Sequence, residues 1–155
     1  MSIRLRSSTA SLAILLCFLS AYAERVGQDW ENERFAAAGV REQKVEAFFT
    51  TLKEAVASND KKAVASLVSY PVTATLASGR RTKIRSKTDF IRFYDQIFHD
   101  DFKQLIADTK LNQLWARTAG VAMPRGEIWF AGVQRSPRDS DQYQIKIIAI
   151  NGLIR

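Results

Sequence analysis

Residues 120–130 read GVAMPRGEIWF and residues 142–151 read QYQIKIIAIN, and these two stretches decide the fold class. In the first, Pro124-Arg125-Gly126 separates two short apolar runs, Val121-Ala122-Met123 and Ile128-Trp129-Phe130. That is a hairpin pattern: proline presets one turn position, and glycine supplies the positive φ that another often needs. In the second, Tyr143, Ile145, Ile147 and Ala149 alternate onto one face of a further strand, with Ile148 and Ile150 on the other. The end of that strand therefore reads as covered on both sides.

Upstream the apolar period lengthens. Val45, Phe48, Phe49, Leu52, Ala55 and Val56 recur at helical spacing with Lys and Glu between them, which predicts an amphipathic helix after Val40. Ser58-Asn59-Asp60 stops it and caps a shorter helix whose apolar stripe is Ala63, Val64, Leu67 and Val68. Tyr70-Pro71 ends that helix, because proline disfavours helical geometry in the residue before it. Residues 72–77 then read as a strand, Ser78-Gly79 as a turn, and residues 81–85 as the returning strand. Ser86-Lys87-Thr88-Asp89 opens a helix, with a hydroxyl followed three residues on by an acid. That helix buries Phe90, Ile91, Phe93, Tyr94, Ile97 and Phe98, breaks near His99-Asp100-Asp101, and resumes for a turn or two with Phe102, Leu105 and Ile106. Residues 108–118 fit neither period, and residues 134–141 read as a polar loop. Helices segregated to one side of an antiparallel sheet make an α+β domain.

The N-terminus carries a different pattern. Arg4 and Arg6 precede the apolar run at residues 12–19, and Ala21-Tyr22-Ala23 supplies the small-x-small pattern of a cleavage site. The run is much shorter than the roughly 20 residues a membrane-spanning helix needs. The expectation is a cleaved signal peptide over 1–23, an arm or loose helix over 24–39, and a single domain over 40–155. Secretion, to a periplasm, follows. The single cysteine, Cys17, leaves with the signal, so neither a disulfide nor a cysteine metal site is expected. Stability must then come from the core, which a 46% hydrophobic chain with nine Phe can build. The net charge is +7, reduced by the two signal arginines. Such a balance suits anionic lipid head groups or acidic polymers, and export argues against nucleic acid.

On this order of elements the chain resembles the nuclear-transport-factor-like superfamily, the α+β cone shared with the SnoaL-like and ketosteroid-isomerase-like proteins. The residues that carry the likeness are Phe48-Phe49, Tyr70-Pro71-Val72, the helix after Ser86, Gly120, Gly126-Glu127-Ile128-Trp129-Phe130 and the strand ending at Asn151. It especially resembles a group of exported bacterial proteins with a YP strand start and a GEIWF hairpin. The resemblance implies a cystatin-like topology with the sheet curled round a cavity, used for catalysis, ligand binding or docking. The isomerase pattern needs a Tyr and acids converging there. Tyr94, Asp95 and Glu127 are the right types, but their spacing does not map them onto those roles.

Several residues could carry chemistry. His99, the only histidine, lies four residues after Asp95, so a continuous helix would put both on one side as a general-base pair. The plainer reading is a helix-end histidine meeting the helix dipole. Glu127 shares a strand face with Trp129 and Ala131, and a carboxylate beside an indole would suit a cavity wall; the plainer reading is an exposed acid beside a half-buried Trp. Tyr94, Trp129 and Trp115 are the ligand-contact candidates, with Trp115 the more natural core residue. Arg80, Arg81, Lys83, Arg85 and Lys87 form the sharpest charge feature, with Arg81, Lys83 and Arg85 on one strand face. That row suits an anionic partner surface, or else protects a sheet edge. No phosphate loop, nucleophile elbow or metalloprotease motif is present, and no metal or cofactor is expected.

These features favour a non-catalytic module that binds a small apolar ligand or an envelope protein, with an anionic membrane surface and a homodimer as further options. The alternative is a cofactor-free isomerase or cyclase using Asp95, His99 or Glu127 for proton transfer.

Overall fold

A computed structural model of the chain describes residues 33–134 and 143–153. The expected signal segment, most of the expected arm, and all but the first residue of the expected polar loop lie outside those residues.

Helix α1 (Glu42–Ala57) buries Val45, Phe48, Phe49, Leu52, Ala55 and Val56, the stripe its periodicity predicts. It ends in a left-handed residue, Asn59, at φ 55°. The Asn59 N–H donates to Val56 O (3.1 Å) and the Asp60 N–H to Ala55 O (2.9 Å), the paired bonds that close a helix C-terminus. The Asp60 carboxylate then accepts from the Ala63 N–H at 2.9 Å and starts α2 (Lys61–Ser66). Three residues thus serve as both stop and start.

Strand β1 (Val68–Thr75) begins four residues before the predicted position and runs through Tyr70-Pro71. The proline is tolerated because no ladder needs its missing N–H. Pairing of β1 with β2 (Arg81–Ile84) spans only Val72 to Thr75, and its pairing with β6 (Tyr143–Ile150) shifts register between Val68 and Thr73. Pro71 falls outside the first ladder and within the irregular part of the second.

Ser86 caps α3 (Lys87–Ile97) by accepting from the Asp89 N–H at 3.1 Å. Phe98 ends α3, and α4 (Asp100–Asp108) opens with Asp100 and Asp101 in its first turn, where the helix dipole favours acids. The stretch that fitted neither period is a 3-10 turn (Leu111–Gln113) followed by β3 (Trp115–Arg117). β4 (Gly120–Ala122) and β5 (Ile128–Gln134) form the expected hairpin, closed by the Gly126 N–H donating to Met123 O at 2.8 Å with Pro124 in the turn.

The described residues form an α+β domain in which four α-helices pack on a six-stranded sheet of order β2-β1-β6-β5-β4-β3. The expectation of an antiparallel sheet is corrected at one place: β1 and β6 are parallel. Parallel neighbours need a long crossover, and here β2, α3, α4 and the β3–β5 meander together supply it.

The sheet has two unlike faces. On one, Val121, Phe130 and Ile147 pair across three strands, and the Phe130 ring packs 5.1 Å from Phe48 and 6.4 Å from Phe49 of α1. A chain of rings fills the space beside them: Tyr70 to Phe90, Phe90 to Phe98, Tyr94 to Phe98 at 4.9 Å, and Phe98 to Phe102 at 5.6 Å. Phe35, from the stretch expected to form an arm, is also fully buried in this core.

Candidate functional site

The register carries one row of side chains across all six strands. Lys83 pairs with Thr73, Thr73 with Ala149, Ala149 with Trp129, Trp129 with Ala122, and Ala122 with Trp115. Residues paired in this way project from the same face, so the row faces away from Phe48 and Phe49 and runs about 24 Å at the usual strand spacing. At one end Trp115 and Trp129 meet edge to face at 5.0 Å, both half-buried. The Trp115 Nε1–H donates to the carbonyls of Met123 (3.0 Å) and Pro124 (3.1 Å), and the Arg117 guanidinium lies 5.0 Å from its ring. At the other end stand the cations.

β2 is the edge strand, and Arg80, Arg81, Lys83, Arg85 and Lys87 are all exposed, while Ile84 is buried opposite Val72. The alternation expected for this strand therefore holds. Among the described residues no carboxylate pairs with Arg80, Arg81, Lys83 or Lys87. Asp89, the acid that follows the strand, is committed elsewhere. It accepts from the Ser86 hydroxyl at 2.9 Å and pairs with Arg92. The Ser86 hydrogen bond, then Arg92 and Arg85, hold its carboxyl below the usual range.

The proton-transfer candidates are not brought together. Asp95 is exposed on α3 and accepts from Lys61 Nζ at 2.6 Å. His99 does not continue that helix: it occupies the N-cap position of α4, with its ring 6.2 Å from Phe102. It lines a groove of about 610 Å³ with Ser78, Asp101, Thr75 and Gly152. Nothing in the sequence spacing placed Ser78 or Gly152 beside it, since three separate chain segments meet there. Glu127 is only 1% exposed and lies just before β5, where its carboxylate accepts from the Arg125 N–H at 3.0 Å. The Asn151 side chain donates to Gly126 O at 2.7 Å and fastens the same turn to the end of β6. Glu127 thus secures a turn, and Trp129 is half-buried on the opposite face from Phe130.

Tyr94 lies in the ring chain, fully buried, with no partner for its hydroxyl among the described residues. Burial, and then the negative charges of Asp95 and Asp60, push its pKa up to about 12. The folded state therefore holds this proton more tightly than the unfolded chain does. Stability is complete below about pH 10 and declines as pH rises from there towards 12. The Tyr70 hydroxyl, raised by burial, acts in the same sense. Because the Tyr94 hydroxyl is buried without a partner, Tyr94→Phe is expected to raise stability by about 1 kcal/mol at pH 7 and to flatten the alkaline decline. Urea unfolding at pH 7 and pH 11 reads both effects, and a destabilised variant would show that the hydroxyl is hydrogen-bonded in solution.

Compared with protein-family models, with curated proteins and with solved structures, the chain matches none.

Proposed function

We propose that the protein is a non-catalytic binding module that engages an anionic partner through Arg81, Lys83 and Arg85 at the edge of its sheet. The observation that carries this is the row of exposed cations along the sheet edge, in which Arg81 and Lys83 on β2 have no carboxylate partner among the described residues. Exposed charges left without a counter-charge attract an oppositely charged surface and steer its approach. We place the domain in the cone-type superfamily, with a cystatin-like sheet, on the order of helices, hairpin, helices and strands that the likeness rested on. Export is supported by Arg4, Arg6, the apolar run at 12–19 and Ala21-Tyr22-Ala23.

The test is retention on two anionic probes, immobilised polyglutamate and phosphatidylglycerol vesicles. The double variant Arg81→Glu/Lys83→Glu is compared with Lys62→Glu/Arg125→Glu, which changes net charge equally at exposed sites away from β2. Binding of the native chain is expected to weaken from 0.05 to 0.5 M salt, as screening shortens. The edge variant is expected to lose at least about tenfold in affinity, and the control pair much less. Equal losses from both pairs would reduce the effect to net charge and end the assignment to β2.

A further inference from the structure

The backbone of β2 says more about the partner than its charge does. The Leu76 N–H donates to Arg80 O at 2.9 Å, one step beyond the Thr75–Arg81 pair. In an antiparallel ladder hydrogen-bonded pairs alternate with non-bonded ones. Ala74–Thr82 and Val72–Ile84 are therefore the bonded pairs, and Thr75–Arg81 and Thr73–Lys83 the non-bonded ones. It follows that the N–H and C=O groups of Arg81 and Lys83 point away from β1, off the free edge. Among the described residues β2 has no other neighbour in the sheet, and no hydrogen bond reaches these groups. The two residues that offer open backbone groups are also the two whose cationic side chains stand exposed on the strand.

We propose that this edge takes an extended acidic segment of a partner protein as a seventh strand, with carboxylates at alternate positions opposite Arg81 and Lys83. The proposal rests on the anionic-partner reading above and narrows it to one class of partner. A free strand edge binds extended chains through the backbone, and side chains at every second position give the selectivity. Opposite charges directly across a strand pair are favourable and like charges are not. Pairing of β2 with a second β2 would set Arg81 and Lys83 against cations, so the residues that admit an acidic strand also reject a copy of this one.

The probes are an octapeptide of alternating Thr and Glu and two versions of it, N-methylated on one or the other alternate set of residues. All three carry the same charge, and only one methylated set faces β2 with its amides. With the full chain, the parent peptide is expected to bind, one methylated version to bind about tenfold more weakly, and the other to bind as the parent does. Lys83→Pro should lose more affinity than Lys83→Ala, because both remove the charge but only proline removes the outward N–H. The peptide comparison stands even if the proline variant fails to fold, since it uses the unaltered protein. If both methylated peptides bind like the parent and Arg81→Glu/Lys83→Glu abolishes all three, the anionic reading survives and strand addition is overturned. Binding of phosphatidylglycerol vesicles without binding of the peptide overturns it in favour of a lipid surface. Peptide and vesicle binding that ignores Arg81→Glu/Lys83→Glu removes both readings.

Discussion

Truncation of Phe130 to alanine is expected to cost about 3–5 kcal/mol of folding stability. The side chain is fully buried, and its ring lies against Phe48 and Phe49, so it ties β5 to α1 across the middle of the core. Its strand neighbours Val121 and Ile147 are also completely buried, which leaves little room for the surroundings to collapse onto the space vacated. A cavity term then adds to the lost transfer free energy. Val133→Ala, a smaller truncation of a half-buried residue on the same strand, should cost no more than about 1 kcal/mol. Urea unfolding followed by circular dichroism measures both, and for a domain of this size the Phe130 variant should melt on the order of 10–20 °C lower. The result also bears on function. A loss under about 1.5 kcal/mol would mean that the space between α1 and the sheet is loosely filled, and would revive a ligand cavity there.

The parts of this fold legible in the sequence are those fixed by neighbours along the chain. The stripe of α1, the stop and start at Ser58-Asn59-Asp60, the Ser86 cap and the turn at Pro124 are each settled within about five residues. What escaped depended on partners far away. Pro71 is a helix breaker by its local chemistry, yet it lies inside β1, because the ladders on either side are irregular or absent at that point. The parallel pairing of β1 with β6 joins residues 76 to 79 positions apart, and alternation of side chains is the same for both strand directions. β3 is three residues long, too short for any period to show.

The candidate site divides in the same way. The alternation of Arg81, Lys83 and Arg85 against Thr82 and Ile84 is a property of four or five residues, and it was legible. That β2 is an edge strand, and that its outward backbone groups belong to the cationic residues, depends on strand order and register. Asp95 and His99 show the reverse case. Their spacing suits a pair on one helix, but α3 ends between them and Lys61, from α2, takes the carboxylate. Glu127 looked exposed or catalytic by its composition of neighbours. Its place is decided instead by one backbone N–H two residues earlier, which the turn brings back onto its carboxylate.

Gly120→Ala is expected to destabilise the protein by about 3 kcal/mol or more, and the contrast with Gly79→Ala shows why. Both glycines have positive φ, 138° and 82°, so an alanine at either carries backbone strain of about 1–3 kcal/mol. They differ in what the new methyl meets. At Gly79 nothing lies within 4 Å, so strain is the whole cost. At Gly120 the methyl would stand 2.7 Å from the Phe130 carbonyl oxygen and 3.3 Å from the Ala131 methyl. The first of these is backbone on the adjacent strand, held in the ladder between β4 and β6, and it cannot swing aside as a side chain can. Relief requires β4 and β5 to part where Val121 pairs with Phe130, which loosens the anchor on α1 as well. The loss at Gly120 should therefore exceed that at Gly79 by about 2 kcal/mol in urea unfolding. Amide exchange should speed up along β4 and β5 in the Gly120 variant and stay unchanged there in the Gly79 variant. Equal losses at the two sites would mean that the β4–β5 pairing yields easily, and the hairpin would then be a soft part of the sheet rather than the frame on which the row from Trp115 to Lys83 is held.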